Sequence, residues 1–159
     1  MAIPPFLRDI RAKCGHDLLL LPGVVTVTFD DEGRVLLGRR ADNGRWALIS
    51  GIPEPGEEPA DTAVREVLEE TGVHVVPERI VAVRSTPPID YPNGDRSQYM
   101  DTVFRCRAVG GDARVNDDES LEVGWFSPDA LPPIGERMVE LVKLAAADGP
   151  AWFESPKGV

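Results

Sequence analysis

A chain of 159 residues is close to the usual size of one domain, and two domains would each be short of core. Hydrophobic residues make up 42% and charged residues 28%, which excludes disordered, collagen-like and coiled-coil chains. The formal net charge of -10 disfavours binding to duplex nucleic acid. An acidic protein still accepts an anionic substrate when divalent cations stand between the two sets of negative charge. We therefore expect a single globular domain over residues 1–159.

The first twenty residues predict a helical extension. Phe6, Leu7 and Ile10 recur at helical spacing with charged residues between them, which is typical of a short amphipathic helix. Its apolar side is expected to cover an edge of the core or to contact a partner subunit in a homodimer. The apolar run at 18–21 is too short for a membrane span or a signal sequence.

Short β-prone segments bounded by turn residues predict a sheet. Turn residues join the first two segments into a hairpin, and a loop rich in Gly, Pro and Glu follows the third. A long turn-rich loop joins the fourth and fifth, and within it Tyr91 and Asn93 are candidates for binding substrate. The predicted strands lie at 24–29, 35–37, 46–49, 80–83, 102–106 and 122–126.

Two helices follow from the remaining patterns. Pro59 suits the first helical position and Gly72 the left-handed position after the end, which predicts a helix over 59–71. Apolar spacing predicts a final amphipathic helix over 138–144. Strands and helices mix without a regular βαβ alternation, so the expected fold class is α+β, an α/β/α sandwich with a mixed β-sheet between helices.

Three glutamates on the first of these helices form one acidic stripe. Glu66, Glu69 and Glu70 stand at i, i+3 and i+4, where like charges repel one another. The stripe is expected to face solvent or cations, and hard oxygen ligands of this kind suit Mg²⁺ or Mn²⁺. The alternative is a solvated acidic surface paired with Arg65. The opposite, core-facing side is predicted to contain Ala60, Val64, Val67, Leu68 and Thr71.

The spacing around the stripe is specific. From Gly51 the chain has five residues, Glu57, seven residues, and then Arg-Glu-Val-Leu-Glu-Glu-Thr-Gly-Val ending at Val73. This resembles the Nudix box, G-x5-E-x7-R-E-U-x-E-E-x-G-U with U aliphatic, at all nine specified positions. At roughly 7% usage per named residue, a chance match is on the order of 10⁻⁹ per starting point.

The resemblance implies a Nudix-like fold. It also implies an enzyme that hydrolyses a nucleoside diphosphate linked to another moiety, such as ADP-ribose, a sugar nucleotide or a nucleoside triphosphate. It implies that Glu66, Glu69 and Glu70 are metal ligands. It also implies that Gly51 belongs to this metal site, because a glycine lets the backbone come close to the bound ligand. Mg²⁺ or Mn²⁺ is the implied cofactor and a small nucleotide diphosphate the implied substrate. The cysteines, Cys14 and Cys106, form no zinc or disulfide motif, and a cytoplasmic enzyme without a membrane partner is expected.

The resemblance also implies catalytic roles. Glu57 is a further acidic contributor, and Arg65 holds neighbouring carboxylates in position. Glu69 is the first choice for the general base. Glu119 and Glu122 resemble late acidic positions that some members use, and both are second candidates.

Two further residues and two alternatives complete the expectations. Arg39 and Arg40 end a predicted strand, where one of them is a candidate to contact a phosphate and the alternative is a solvated arginine. Removal of pyrophosphate from RNA 5′ ends is an alternative reaction. A catalytically silent nucleotide-binding regulator is the alternative from another functional class, and the intact glutamate motif disfavours it.

Overall fold

The computed structural model describes residues 3–158. The helices are α1 (Pro5–Cys14), α2 (Pro59–Thr71) and α3 (Glu136–Ala146). The strands are β1 (Leu19–Phe29), β2 (Val35–Arg40), β3 (Trp46–Ala47), β4 (Ile49–Gly51), β5 (His74–Ser85), β6 (Ile89–Asp90), β7 (Arg96–Gly110), β8 (Ser120–Phe126) and β9 (Trp152–Phe153). Within this range, no helix is both long enough and apolar enough to cross a bilayer.

The strands form one mixed sheet. Its main path runs β3-β2-β1-β7-β5-β9, with β4 paired to β1, β6 to β7 and β8 to β2. The central pair, β1 and β7, is parallel over eleven residue pairs from Leu19↔Ser97 to Phe29↔Arg107. The other long pair, β7 and β5, is antiparallel. This arrangement confirms the predicted mixed sheet.

Helices cover both faces of the sheet. Alternate side chains of each strand point to opposite faces, so both faces carry apolar side chains that a helix can cover. On one face, Ala63 and Val67 of α2 pack against a core that includes Leu36 of β2. On the other, Val142 of α3 packs against a core that includes Leu37, the next residue of β2. The predicted sandwich is therefore confirmed.

The strands on either side of the predicted long loop are longer than expected. Antiparallel pairing of β5 with β7 runs from His74↔Gly110 to Ser85↔Met100, and β6 then pairs with the start of β7. Polar residues that break the apolar pattern are accommodated because the ladder satisfies their backbone groups. A tight turn at 91–95 therefore replaces most of the loop, and this β6–β7 hairpin stands beside α1.

Candidate active site

Helix α2 begins and ends where the sequence predicts. Pro59 occupies its first turn, and Gly72 adopts φ 71° while its N–H donates to the Leu68 carbonyl at 2.9 Å. Its buried face, however, differs from the prediction. Val67 and Thr71 are buried as expected, whereas the predicted core residues Ala60, Val64 and Leu68 are half-buried, and the buried set also contains Thr62, Ala63 and Glu70.

Glu70 is buried because a later segment covers the end of α2. The backbone N–H of Asn116 donates to the Glu70 carbonyl at 3.2 Å, and the Asn116 amide donates to the Leu68 carbonyl at 3.0 Å. The side of the helix that was expected to face solvent or cations is thus partly enclosed. Only 9% of Glu70 remains exposed.

Arg65 gathers three of the predicted carboxylates. Its guanidinium donates to both oxygens of Glu57, at 2.7 Å from Nε and 3.0 Å from Nη2. Its Nη1 donates to Glu66 at 2.8 Å and to Glu69 at 3.2 Å, and its Nη2 donates to the Ile52 carbonyl at 3.3 Å. The planar fork of arginine is suited to this multiple role, and it fixes the loop before α2 to the helix.

Glu57 is the carboxylate that this network stabilises most in its charged form. The Arg65 guanidinium, aided by the backbone N–H of Glu54 and the Thr62 hydroxyl, lowers the pKa of Glu57 to about 2 against the opposing effect of burial. The same pairing raises the pKa of Arg65. Glu57 is therefore ionised and committed to positioning the loop at neutral pH.

Glu66 and Glu70 show the opposite behaviour. Burial raises the pKa of Glu66 to about 7, with Arg65 opposing the shift. Burial raises the pKa of Glu70 to about 8, and the nearby charges of Glu119 and Glu66 add to the shift. Within residues 3–158, no hydrogen bond or ion pair is found for the Glu70 carboxylate, whose oxygens keep a narrow contact with solvent. Because Glu66 is half-buried and pairs with Arg65, Glu70 is the carboxylate whose charge is left for a further cation to offset.

The residues present fit a hard divalent cation. Gly51, at the end of β4, lies so close to the Glu66 carboxyl that a Cβ at position 51 would displace it, so glycine allows Glu66 to hold this position. In the part of the chain that the structure describes, no three carboxylates converge in a ready-made metal-binding group. Arg65 explains this, since its Nη1 holds both Glu66 and Glu69. Glu69 remains 55% exposed at its side chain.

A cavity of about 270 Å³ lies beside these glutamates. We call it the glutamate cavity; its lining includes Gly51, Ile52, Arg65, Glu66, Glu69 and Glu119. Glu119 therefore lies with the α2 glutamates. It stands immediately before β8, where its carbonyl accepts a hydrogen bond from the Ala41 N–H at 2.8 Å, beside the end of β2.

The two strand-end arginines point to opposite faces of the sheet. Arg40 lies on the α2 side, where its charge weakly opposes the rise in the Glu70 pKa that burial causes. It forms a two-fold hydrogen bond with Asp42 at 3.0 and 2.6 Å. Arg39 shares its face with Leu37 on the α3 side and forms an ion pair with Glu122 at 3.6 Å. The structure therefore does not bring Arg39 and Glu122 to the glutamates, because adjacent strand residues alternate between faces.

Tyr91 and Asn93 lie on the β6–β7 hairpin and line a second cavity, of about 260 Å³. We call this the hairpin cavity; Arg40, Asp42, Ile52 and Tyr99 also line it. The Tyr91 and Tyr99 hydroxyls lie 2.8 Å apart, and burial together with this contact raises the pKa of Tyr91. Asn93 bonds to Asp95 within the turn. The sequence predicted these two residues as substrate contacts, without indicating which element faces them.

That element is α1, which sequence reasoning assigned to a core edge or a subunit contact. Leu7 and Arg11 line the hairpin cavity, and Arg8 lines the glutamate cavity. The apolar spacing in α1 indicated that one side is buried. No sequence pattern showed that this side lies next to the box, because the packing partner is distant in sequence.

Comparison with known proteins gives a consistent picture. A family model described as "NUDIX domain" matches residues 19–145. A "MutT-like protein" from Streptomyces ambofaciens is 38% identical over 125 residues, covering 79% of this chain and 73% of that protein. Human "8-oxo-dGDP phosphatase NUDT18" is 33% identical over 131 residues, covering 77% of this chain but only 38% of its own. A crystal structure of a "UDP-X diphosphatase" has a TM-score of 0.65 at 26% identity, with coverage of 88% of this chain and 68% of that one.

Proposed function

The chain belongs to the Nudix hydrolase family, and from that premise we propose that it is a divalent-cation-dependent pyrophosphohydrolase of small nucleotide derivatives. The observation that supports this most is Glu70, a carboxylate that is 9% exposed, lies beside Glu66 and lacks a hydrogen-bond or ion-pair partner within residues 3–158. Burying such a charge without a cation is costly. A divalent cation bound beside Glu70 would offset this cost, which supports a metal site within the matching motif.

We assign the metal-binding role to Glu66, Glu69 and Glu70 with the backbone at Gly51. Bound Mg²⁺ or Mn²⁺ would neutralise the diphosphate oxygens and lower the pKa of an attacking water. Arg65 positions two of these carboxylates and holds Glu57 in the preceding loop.

For the general base we propose Glu69, with Glu119 as the second candidate. Both line the glutamate cavity, and Glu69 has the exposure that proton exchange with solvent requires. Glu122 is a weaker candidate than the sequence indicated, because it pairs with Arg39 on the other face of the sheet.

The substrate class rests on the family and on charge. A protein with net charge -10 is poorly suited to a polyanion but accepts a small diphosphate through bound cations. Two relatives carry names with a dGDP or a UDP substrate. We therefore propose a nucleoside diphosphate linked to another moiety, with ADP-ribose, sugar nucleotides and nucleoside triphosphates as the compounds to test.

The test is a release assay with Mg²⁺ and with Mn²⁺ across those compounds and a 5′-triphosphorylated RNA. We expect turnover of at least one small nucleotide that Glu69→Gln abolishes, whereas the matched variant Glu122→Gln retains it. Turnover of the RNA alone would favour the 5′-end reaction. No turnover of any compound would favour the nucleotide-binding regulator.

A cytoplasmic location and a homodimer through α1 stay predictions. Both cysteines are free, as a reducing compartment requires, with Cys106 buried. Size-exclusion chromatography of the protein with and without its first twenty residues tests the dimer. If α1 forms the dimer contact, the full chain should elute as a dimer and the shortened chain as a monomer.

A further inference from the structure

Helix α1 forms one wall of both cavities, although it lies outside the residues that match the family. The two cavities share Ile3, Pro4 and Ile52 in their linings, so they are neighbours across the N-terminal segment. Ile52 follows Gly51 directly, which places the junction at the start of the box. Together the cavities exceed the lower limit of about 300 Å³ for small-molecule sites.

The wall is held firmly in place. Leu7 is 6% exposed and packs in a cluster with Leu21 and Ile52. Arg11 donates at 2.6 Å to the carbonyls of Asp17 and Arg96, and at 3.0 Å to the Ser97 hydroxyl. These contacts fasten α1 to the strand that follows the hairpin turn.

A second contact fixes the turn itself. His16, just after α1, lies 2.9 Å from the Asp95 carboxylate. Asp95 also accepts a hydrogen bond from the Asn93 amide at 3.0 Å. The hairpin cavity is thus bounded by two elements that hydrogen-bond to each other, so its walls are pre-formed, as is usual for ligand sites.

The lining of the hairpin cavity suits a flat heterocycle. Leu7 and Ile52 supply apolar surface, and Tyr91 and Tyr99 supply phenol rings joined through their hydroxyls. Asp42 and Asn93 add polar groups that can accept and donate hydrogen bonds. Aromatic and apolar walls with a few polar groups are the usual surroundings of a bound nucleobase.

We propose that the hairpin cavity is the nucleobase subsite of this enzyme and that α1 is its specificity wall. The inference rests on the proposed function, which puts the diphosphate in the adjoining glutamate cavity. Arg8 of α1 lines that cavity and adds a positive charge near the phosphates. The helix beyond the family match would therefore select the base while the box cleaves the diphosphate.

The test compares binding of nucleoside diphosphates with binding of inorganic pyrophosphate, by calorimetry with Mg²⁺ present. The panel contains ADP, GDP, CDP and UDP. The variant Ile3→Trp fills the shared mouth of the two cavities, and Asn93→Trp fills the hairpin cavity from its other wall. The matched control is Ile10→Trp, since Ile10 is 40% exposed on α1 and lines neither cavity.

We expect at least one nucleoside diphosphate to bind the unmodified protein tenfold or more tightly than pyrophosphate. Asn93→Trp should remove that preference and leave the pyrophosphate affinity within about twofold, because Asn93 lines the hairpin cavity alone. Ile3→Trp should weaken binding of the nucleotides and of pyrophosphate, because Ile3 lines both cavities. Ile10→Trp should keep the preference and the pyrophosphate affinity. Equal binding of pyrophosphate and all four nucleotides would overturn the subsite, as would a preference that survives both filled cavities. Base-selective binding without hydrolysis would instead retain the subsite and refute the proposed reaction.

Discussion

Replacing Glu70 by glutamine should stabilise the metal-free protein and abolish its activity. Glu70 is 9% exposed, and burial raises its pKa from 4.5 to about 8 with help from the Glu119 and Glu66 charges. Below pH 4.5 the carboxyl is protonated in both the folded and the unfolded state. Between pH 4.5 and pH 8 the unfolded state loses this proton while the folded state keeps it, so folding stability falls across this window and levels off above pH 8.

The size of the gain follows from the pKa change. At about 1.4 kcal/mol per pKa unit, full ionisation of Glu70 costs at most about 5 kcal/mol at pH 9. Glutamine removes that charge but leaves a buried amide that also lacks partners, which costs about 1–3 kcal/mol. We therefore expect Glu70→Gln to gain about 2 kcal/mol at pH 9 and to lose about 1–3 kcal/mol at pH 4.5, where there is no buried charge to remove and only the cost of the amide remains.

The assay is urea unfolding with EDTA present at several pH values between 4.5 and 9. The matched control is Glu122→Gln, at a carboxylate on the far face that is 54% exposed. Saturating Mg²⁺ should stabilise the unmodified protein more than Glu70→Gln, because binding to the folded state adds stability. A gain that is equal at pH 4.5 and pH 9, or a stability loss at pH 9, would refute the reasoning.

Three further predictions concern the loop and the helix around this residue. Glu57→Gln should lower the free energy of unfolding by about 1–2 kcal/mol at pH 7, measured by urea unfolding. Because Arg65 holds the folded-state pKa of Glu57 near 2, this difference should be lost as the pH falls from 4.5 to 2. A difference that stays constant with pH would contradict this. Gly51→Ala should reduce kcat/KM by more than about tenfold, because the added Cβ displaces Glu66. The control Gly110→Ala should leave kcat/KM unchanged, because its added Cβ meets only His74 at 4.0 Å. Equal effects of the two variants would contradict the role of Gly51. Arg65→Lys should also reduce kcat/KM by about tenfold or more, because a lysine cannot hold three carboxylates; full activity would contradict the network.

Local patterns predicted much of this protein. Pro59 and Gly72 mark the two ends of α2 through backbone constraints that act within one turn. The alternation of Leu36 and Leu37 between the two cores follows from strand geometry alone. The spacing from Gly51 to Val73 gave the family, because nine fixed positions leave little room for chance.

Features set by distant contacts could not be predicted in the same way. Glu70 is buried because the segment around Asn116 covers the end of α2. Strand geometry sends the adjacent Arg39 and Arg40 to opposite faces, but only the packing of β2 in the folded sheet decides which of them faces α2. The position of α1 against the hairpin depends on Arg11, whose hydrogen-bond partner Arg96 is 85 residues away.

Direct titration with Mn²⁺, followed by the loss of its free EPR signal, addresses the central claim that the α2 glutamates exist to hold a divalent cation. We predict saturable binding at pH 7.5 that Glu66→Gln and Glu70→Gln each weaken by tenfold or more, while Glu122→Gln binds like the unmodified protein. Equal affinity in all four proteins, or no saturable binding in any, would contradict the account.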